Sequence, residues 1–360
     1  MIQVTKTFLP PLDVYVEYLK GIWDRGQLTN HGPLVLELEK LLAEFLQVKH
    51  VFFVTNGTLA LQIAAKALGV KKKIITTPFS CVATTSAMVW EGIETVFADI
   101  DFKKFTISPE SVRAEITPDI EAILATHVYG NPCDIEELEK IAAENKIPLI
   151  FDGAHAFGVQ YQNKPLACFG DVTALSFHST KIFHTIEGGA LATNNDEVAA
   201  KISYMRNFGY NGPEDFFGVG INAKASEFQA AMGLSVFPYV DEIIQKRAHV
   251  CEYYTIYLED ANVQLMEIQK GTTFYNHAYF PVVFSSENEL LEVRLLLQKH
   301  GIFPRRYFYP SLNQLEYVHN NLSHDISTDL AARVLCLPLN TELTRDEVSH
   351  ISHLIRQVTC

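Results

Sequence analysis

Between Val51 and Asn195, short apolar or β-branched runs alternate with amphipathic stretches. VFFVTN leads into TLALQIAAKAL, KKIITTP into CVATTSAMVWEG, and AILATHVYG into DIEELEKIAAENK, while PLIFDGAHAF, VTALSF and GALATN add further apolar runs. Runs without polar alternation are strands covered on both faces, and the periodic stretches between them are the covering helices. The pattern predicts an α/β fold around a mostly parallel sheet. Further on, the helix-like run SEFQAAMGLSVF meets Pro238 and a long helical stretch, VDEIIQKRAHVCEYYTIYLED, follows, so a linker is expected near residues 235–241. YFPVVF, ELLEVRLLLQKHG, VLCLPL and a last helix opened by the capping box Thr344-Arg-Asp-Glu347 read as a smaller α+β unit. The expected division is a large domain over residues 1–238, amino-terminal segment included, and a smaller carboxyl-terminal domain over 239–360.

Composition narrows the function. At 360 residues and 48% hydrophobic content, the chain buries a sizeable core, which excludes disorder and a disulfide-stapled miniprotein. Lys+Arg 29 against Asp+Glu 42 gives −13, an acidic balance that argues against general nucleic-acid binding. The six cysteines, at 81, 133, 168, 251, 336 and 360, form no CxxC pair, which suggests neither a zinc ribbon nor a disulfide framework and makes a reducing cytoplasm the expected compartment. The amino terminus carries Pro, Asp and Glu where a signal peptide needs an apolar core. The longest uncharged stretch, residues 74–90, is short and rich in Thr and Ser, so no membrane span is expected. Four histidines, His127, His155, His178 and His184, fall in the sheet region, but their spacing fits no zinc signature and no metal site is expected.

Three short segments carry chemistry. Asn56-Gly57-Thr58 stands where a strand becomes a helix, which makes either a phosphate cradle of free N–H groups or ordinary helix capping. Asp152 directly follows the run IPLIF, where open α/β sheets place ligand-binding groups; a carboxylate buried there needs a cation or donor, unless it simply caps the GAHAFG segment. Lys181 closes Leu175-Ser-Phe-His-Ser-Thr-Lys181 just before the pair Gly188-Gly189. Confined there, its pKa falls and the amine serves a Schiff base or a proton shuttle; otherwise it is a surface lysine at a strand exit. Ser176 lies five residues earlier, within reach of the same phosphate. Together the three match the needs of pyridoxal 5'-phosphate, whose phosphate, ring nitrogen and aldehyde each require one of them.

On these residues the chain is identified as similar to the DegT/DnrJ/EryC1/StrS family of sugar aminotransferases, pyridoxal phosphate enzymes of aspartate aminotransferase-like (fold type I) architecture. The resemblance runs from Leu28-Thr-Asn-His-Gly-Pro33 through NGTLAL, HVYGNPCD, FDGAHAFG, SFHSTKIFHTIEGGALATN, RNFGYNG and GINAKASEFQAAMGL to RRYFYP. It implies Lys181 as Schiff-base lysine and proton shuttle, Asp152 on the pyridine nitrogen, Gly57, Thr58 and Ser176 on the phosphate, and Asn222 reaching the phosphate of a partner across a homodimer interface. His155 stands where the family usually has glutamine beside the phenolic oxygen. Because histidine titrates near neutrality, that oxygen is expected to become pH-sensitive. The aromatic residue that usually faces the pyridine ring falls on Cys81, so either Phe79 moves in or the thiol makes the contact. His178, Arg206, Asn207, Arg306, Tyr307 and Tyr309 lie in segments the family brings to the substrate, the arginines suiting a carboxylate or a diphosphate, or else forming surface ion pairs.

The implied reaction takes the amino group of L-glutamate, passes through pyridoxamine 5'-phosphate and delivers it to a nucleotide-linked keto sugar. Within the family the chain most resembles enzymes that aminate dTDP-linked 4-keto-6-deoxyhexoses for surface glycans. The 3-dehydratase relatives carry histidine at the position of Lys181, which favours transamination here. A 3-keto sugar aminotransferase shares every anchor, and a non-catalytic sugar-nucleotide-binding regulator remains a further alternative.

Overall fold

The computed structural model describes residues 1–318 and 325–359. Of the residues singled out above, Cys360 lies outside them. After a short strand β1 (Ile2–Gln3) and the helices α1 (Leu12–Arg25) and α2 (Pro33–Leu46), the chain builds a seven-stranded sheet. Its strands are β2 (His50–Val54), β3 (Lys73–Thr76), β4 (Glu94–Phe97), β5 (Ile120–Thr126), β6 (Leu149–Asp152), β7 (Val172–Ser176) and β8 (Gly189–Thr193), in the order β2-β8-β7-β6-β5-β3-β4. β8 runs antiparallel to both neighbours and every other pair is parallel. Six strands therefore bring their carboxyl ends to one edge of the sheet.

The strands lack polar alternation because both faces are covered. Ile74, Ala122, Leu124 and Ile150 enter one core with α3 (Gly57–Ala67), α4 (Val82–Trp90) and α7 (Asp196–Met205). Their chain neighbours Ile75, Ile123, Ala125 and Phe151 point the other way, into a core with α5 (Pro109–Glu115) and α6 (Ile135–Asn145). Each fully buried Ile or Phe contributes about 1.5–3 kcal/mol, so a charge on either face would be strongly destabilising.

The stretch expected to be a linker is helical. α8 (Glu227–Val236) passes through one 3₁₀ turn, Phe237–Tyr239, into α9 (Val240–Tyr257), and Pro238 sits in that turn, where its missing N–H is tolerated. α9 joins two cores: Val240, Ile243 and Ile244 pack with α2 and α8, whereas Val250, Cys251 and Tyr254 belong to the carboxyl-terminal core. That core lies between an antiparallel sheet of β9 (Gln264–Leu265), β10 (Pro281–Val283) and β12 (Val334–Cys336) and the helices α10 (Glu287–Lys299) and α12 (Arg345–Thr359), with α11 (Asp325–Arg333) leading into β12. α12 opens with the expected capping box, the Thr344 N–H donating to Glu347 at 2.8 Å. The amino-terminal strand departs from expectation: β1 pairs in parallel with β11 (Ile302–Phe303), beside the carboxyl-terminal core rather than the large sheet. Among the described residues no helix is long and apolar enough to cross a membrane.

Candidate active site

A cavity of about 320 Å³ opens at the carboxyl edge of the large sheet. Its first wall is the start of α3. The Asn56 side chain accepts from the Leu59 N–H at 2.9 Å and its carbonyl accepts from the Ala60 N–H, which leaves the N–H groups of Gly57 and Thr58 without acceptors inside the helix. Gly57 is needed for contact: a Cβ there would lie 3.1 Å from the Ser176 Cβ. Gly189 is needed more strictly, since its Cβ would come within 2.5 Å of the Asn56 carbonyl carbon. These glycines bring the helix start against the end of β7, so Gly57, Thr58 and Ser176 line one side of the cavity.

Asp152 ends β6, lines the same cavity and is 4% exposed. Its Oδ2 accepts from the Thr84 hydroxyl at 2.7 Å and its Oδ1 from the Ala154 N–H at 3.1 Å. Burial pushes the carboxyl pKa up, against the two hydrogen bonds and the nearby Lys181 amine. Lys181 stands on the loop between β7 and β8, which is stapled by Phe177 N–H to Gly188 O, Thr185 N–H to Phe177 O and Lys181 N–H to His178 O. Burial pushes its pKa down, with Asp152 and Tyr307 among the groups opposing the shift. The lysine and the carboxylate thus meet in one cavity with opposite perturbations, the arrangement expected of groups tuned for proton transfer.

His155 lines the same cavity but does not titrate as expected. Burial, with a smaller effect from Lys181, holds its pKa well below 6.5, so the ring stays neutral across the physiological range. Its Nδ1 accepts from the Tyr129 N–H at 3.1 Å, which leaves Nε2–H as the ring's donor. Stacking on Phe308 at 5.7 Å and an edge contact with Tyr279 at 4.9 Å fix its plane. Phe79 and Cys81 are placed differently. Phe79 is fully buried among Phe105, Tyr129 and Phe308, whereas Cys81 is half-buried and lines the cavity.

The expected substrate residues divide. His178 and Tyr307 line the cavity, and His178 is oriented by Thr180, whose Oγ1 is 2.8 Å from Nδ1. Arg206 does not reach it: the guanidinium is buried, pairs with Glu39, donates to the Phe53 carbonyl and lies over the Phe52 ring. Asn207 bridges to Asn222 in the backbone, and neither lines the cavity. The Asn222 side chain instead accepts from Lys224 at 2.6 Å. Arg306 donates to Glu287 and to the Ala332 carbonyl and stacks 3.4 Å above Tyr309, so this pair braces the carboxyl-terminal region away from the cavity wall. Tyr279, Phe308, Ser80 and Thr126 line the cavity without having been expected there. His127 and His184 are packing residues, one stacked on Phe151 and the other bonded to the Phe8 carbonyl.

The donor set fits pyridoxal phosphate: open N–H groups and a hydroxyl for a phosphate, a buried carboxylate for a ring N–H, and a half-buried amine for an aldehyde. Fold and cavity together define a fold type I transferase of the kind that works with this cofactor. The chain belongs to the DegT/DnrJ/EryC1/StrS aminotransferase family, whose model matches residues 14–356. It is 40% identical to a dTDP-4-amino-4,6-dideoxy-D-glucose transaminase of Shigella dysenteriae, over 99% of this chain and 98% of that protein. A protein of the same name from Escherichia coli is 34% identical over 98% of each chain. Among solved structures, DesI in the presence of its TDP-sugar product is 33% identical, with a TM-score of 0.93, over 99% of this chain and 92% of that one.

Proposed function

We propose that this aminotransferase moves the amino group of L-glutamate onto dTDP-4-keto-6-deoxy-D-glucose, giving dTDP-4-amino-4,6-dideoxy-D-glucose, with pyridoxal phosphate as cofactor. The observation that carries the chemistry is the convergence of Gly57, Thr58, Ser176, Asp152 and Lys181 on one cavity. The sugar is assigned from the names of the two transaminases that match nearly the whole chain. Bound there, the cofactor supplies an electron sink that acidifies the Cα proton of the amino donor. Gly57, Thr58 and Ser176 hold its phosphate, Asp152 keeps its ring nitrogen protonated, and His155 offers Nε2–H to its phenolic oxygen. Cys81 contacts the ring face in place of an aromatic residue. Lys181 would hold the aldehyde, and once the donor's amine has taken its place the freed Nζ, made less basic by burial, would accept the Cα proton in one half-reaction and return a proton in the other.

The working unit in this reading is a homodimer. The segment beside Asn222 exposes Phe216 at 61%, Phe217 at 59% and Val219 at 90%, apolar surface suited to cover by a second copy, which would carry Asn222 toward the partner's phosphate. An absorption titration tests the activity. Purified protein with pyridoxal phosphate should develop the visible band of a lysine Schiff base, lose it on addition of L-glutamate and regain it with the dTDP-keto sugar. A band that ignores glutamate would overturn the donor, and recovery only with a 3-keto sugar would overturn the acceptor.

A further inference from the structure

We propose that Thr84, together with Ser80, forms a one-way hydroxyl relay that positions the Asp152 carboxylate and holds it charged toward the cofactor's ring nitrogen. The inference rests on the reading of Asp152 as the partner of that nitrogen. Ser80 Oγ lies 2.8 Å from Thr84 Oγ1, and Thr84 Oγ1 lies 2.7 Å from Asp152 Oδ2. All three residues are buried, at 1%, 0% and 4% exposure.

The direction of the relay follows from valence. An ionised carboxylate only accepts, so Thr84 gives its single hydroxyl proton to Asp152. The contact with Ser80 must then be filled by the Ser80 proton. Ser80 and Asp152 both line the cavity, and Thr84 connects them from within the wall. A threonine hydroxyl inside a helix ordinarily turns back to the carbonyl one turn earlier; here it is directed to a residue 68 positions away. The β-branch limits its rotamers, so the donor stays aimed. Of the titratable groups around Asp152, only Lys181 favours the charged carboxylate by its own charge. Burial keeps His127 and His155 neutral by lowering their pKa and keeps the Cys133 thiol neutral by raising its own. Beyond Lys181, the Thr84 hydroxyl and the Ala154 N–H are what stabilise the anion.

The test pairs two measurements on wild type, Thr84→Val, Thr84→Ser and Ser80→Ala. One is the dissociation constant for pyridoxal phosphate by absorption titration. The other is the midpoint of the Asp152 carboxyl titration in the cofactor-free protein, by carbon NMR with aspartate labelling. Thr84→Val should weaken cofactor binding about tenfold and raise the Asp152 midpoint, the value of a hydrogen bond to a charged group. Thr84→Ser should restore both, and Ser80→Ala should move both the same way by less. An unchanged midpoint in Thr84→Val would overturn the relay whether or not the cofactor binds. A shifted midpoint with unaltered cofactor affinity would overturn the link to the ring nitrogen. Should Thr84→Val fail to fold, Ser80→Ala decides by the same midpoint. Failure of the wild type to bind pyridoxal phosphate at Lys181 would count against the proposed function, while the titration would still decide the relay.

Discussion

The first turns of α2 and α3 both begin beside a glycine packed against another segment, and both present N–H groups that favour a negative partner. At α2 the chain supplies that partner. Glu227, fully buried, accepts from the Leu34 and Val35 N–H groups at 3.2 and 2.9 Å and pairs with Arg25 at 3.3 Å. A Cβ on Gly32 would fall 2.4 Å from the Glu227 carboxyl carbon, so the glycine reserves the space. At α3 the cap covers Leu59 and Ala60 only, and the open N–H groups of Gly57 and Thr58 stand in a cavity with Asp152 and Lys181. A helix end closed by the chain's own carboxylate is architecture; a helix end left open among perturbed ionisable groups is where a ligand belongs.

Mutations at the two ends should separate accordingly. Lys181→Ala should lower transamination at least about 1,000-fold, since both half-reactions need the amine, and should change stability by no more than about 1 kcal/mol, because the side chain is only half-buried. Measurable turnover in this variant would dissolve the contrast. Glu227→Ala should cost about 3–5 kcal/mol in denaturant unfolding, the usual result of stranding buried partners. The folded remainder should bind pyridoxal phosphate within about threefold of wild type, because distant sites act independently. Gly57→Ala should weaken cofactor binding roughly tenfold by pressing a Cβ toward Ser176, with a stability change of only about 1 kcal/mol. Equal losses in affinity for Gly57→Ala and Gly32→Ala would erase the distinction. The smallest effect is expected at His155: because burial holds its pKa low, it carries no charge from neutral pH upward, and His155→Gln should keep the pH profile and change the rate by about twofold at most. A profile that shifts between pH 6 and 8 would reinstate the titrating histidine.

Much of the cavity was legible because its anchors are local. Gly57, Asp152, Ser176 and Lys181 each stand at or just beyond a strand end, and a strand end in a mostly parallel sheet has only one edge to occupy. The pairing of side chains across the fold was not legible. Arg206 carried the chemistry of a substrate-binding residue, but nothing near it in the chain announced Glu39, 167 positions away. The same holds for Thr84, the first of three consecutive hydroxyl residues in α4, whose partner lies in β6. His155 was read from its ordinary titration, and the environment that suppresses it comes from Tyr279 and Phe308, residues far along the chain. The meeting of two helices at Pro238 was legible, but not that a single 3₁₀ turn joins them, because the first turn of a new helical segment accepts proline.

The pairing of β1 with β11 has a consequence for the order in which the protein takes shape during synthesis. The sheet that frames the cavity is complete once β8 has been made, because β8 inserts between β2 and β7. Ile2, however, waits for Ile302, its partner in the parallel register. From Thr193 to Ile302 the ribosome adds 302 − 193 = 109 residues, which takes about 5–20 s at ordinary elongation rates. β1, made before any strand of the large sheet, is therefore docked after all of them and stays without its partner while that sheet is assembled.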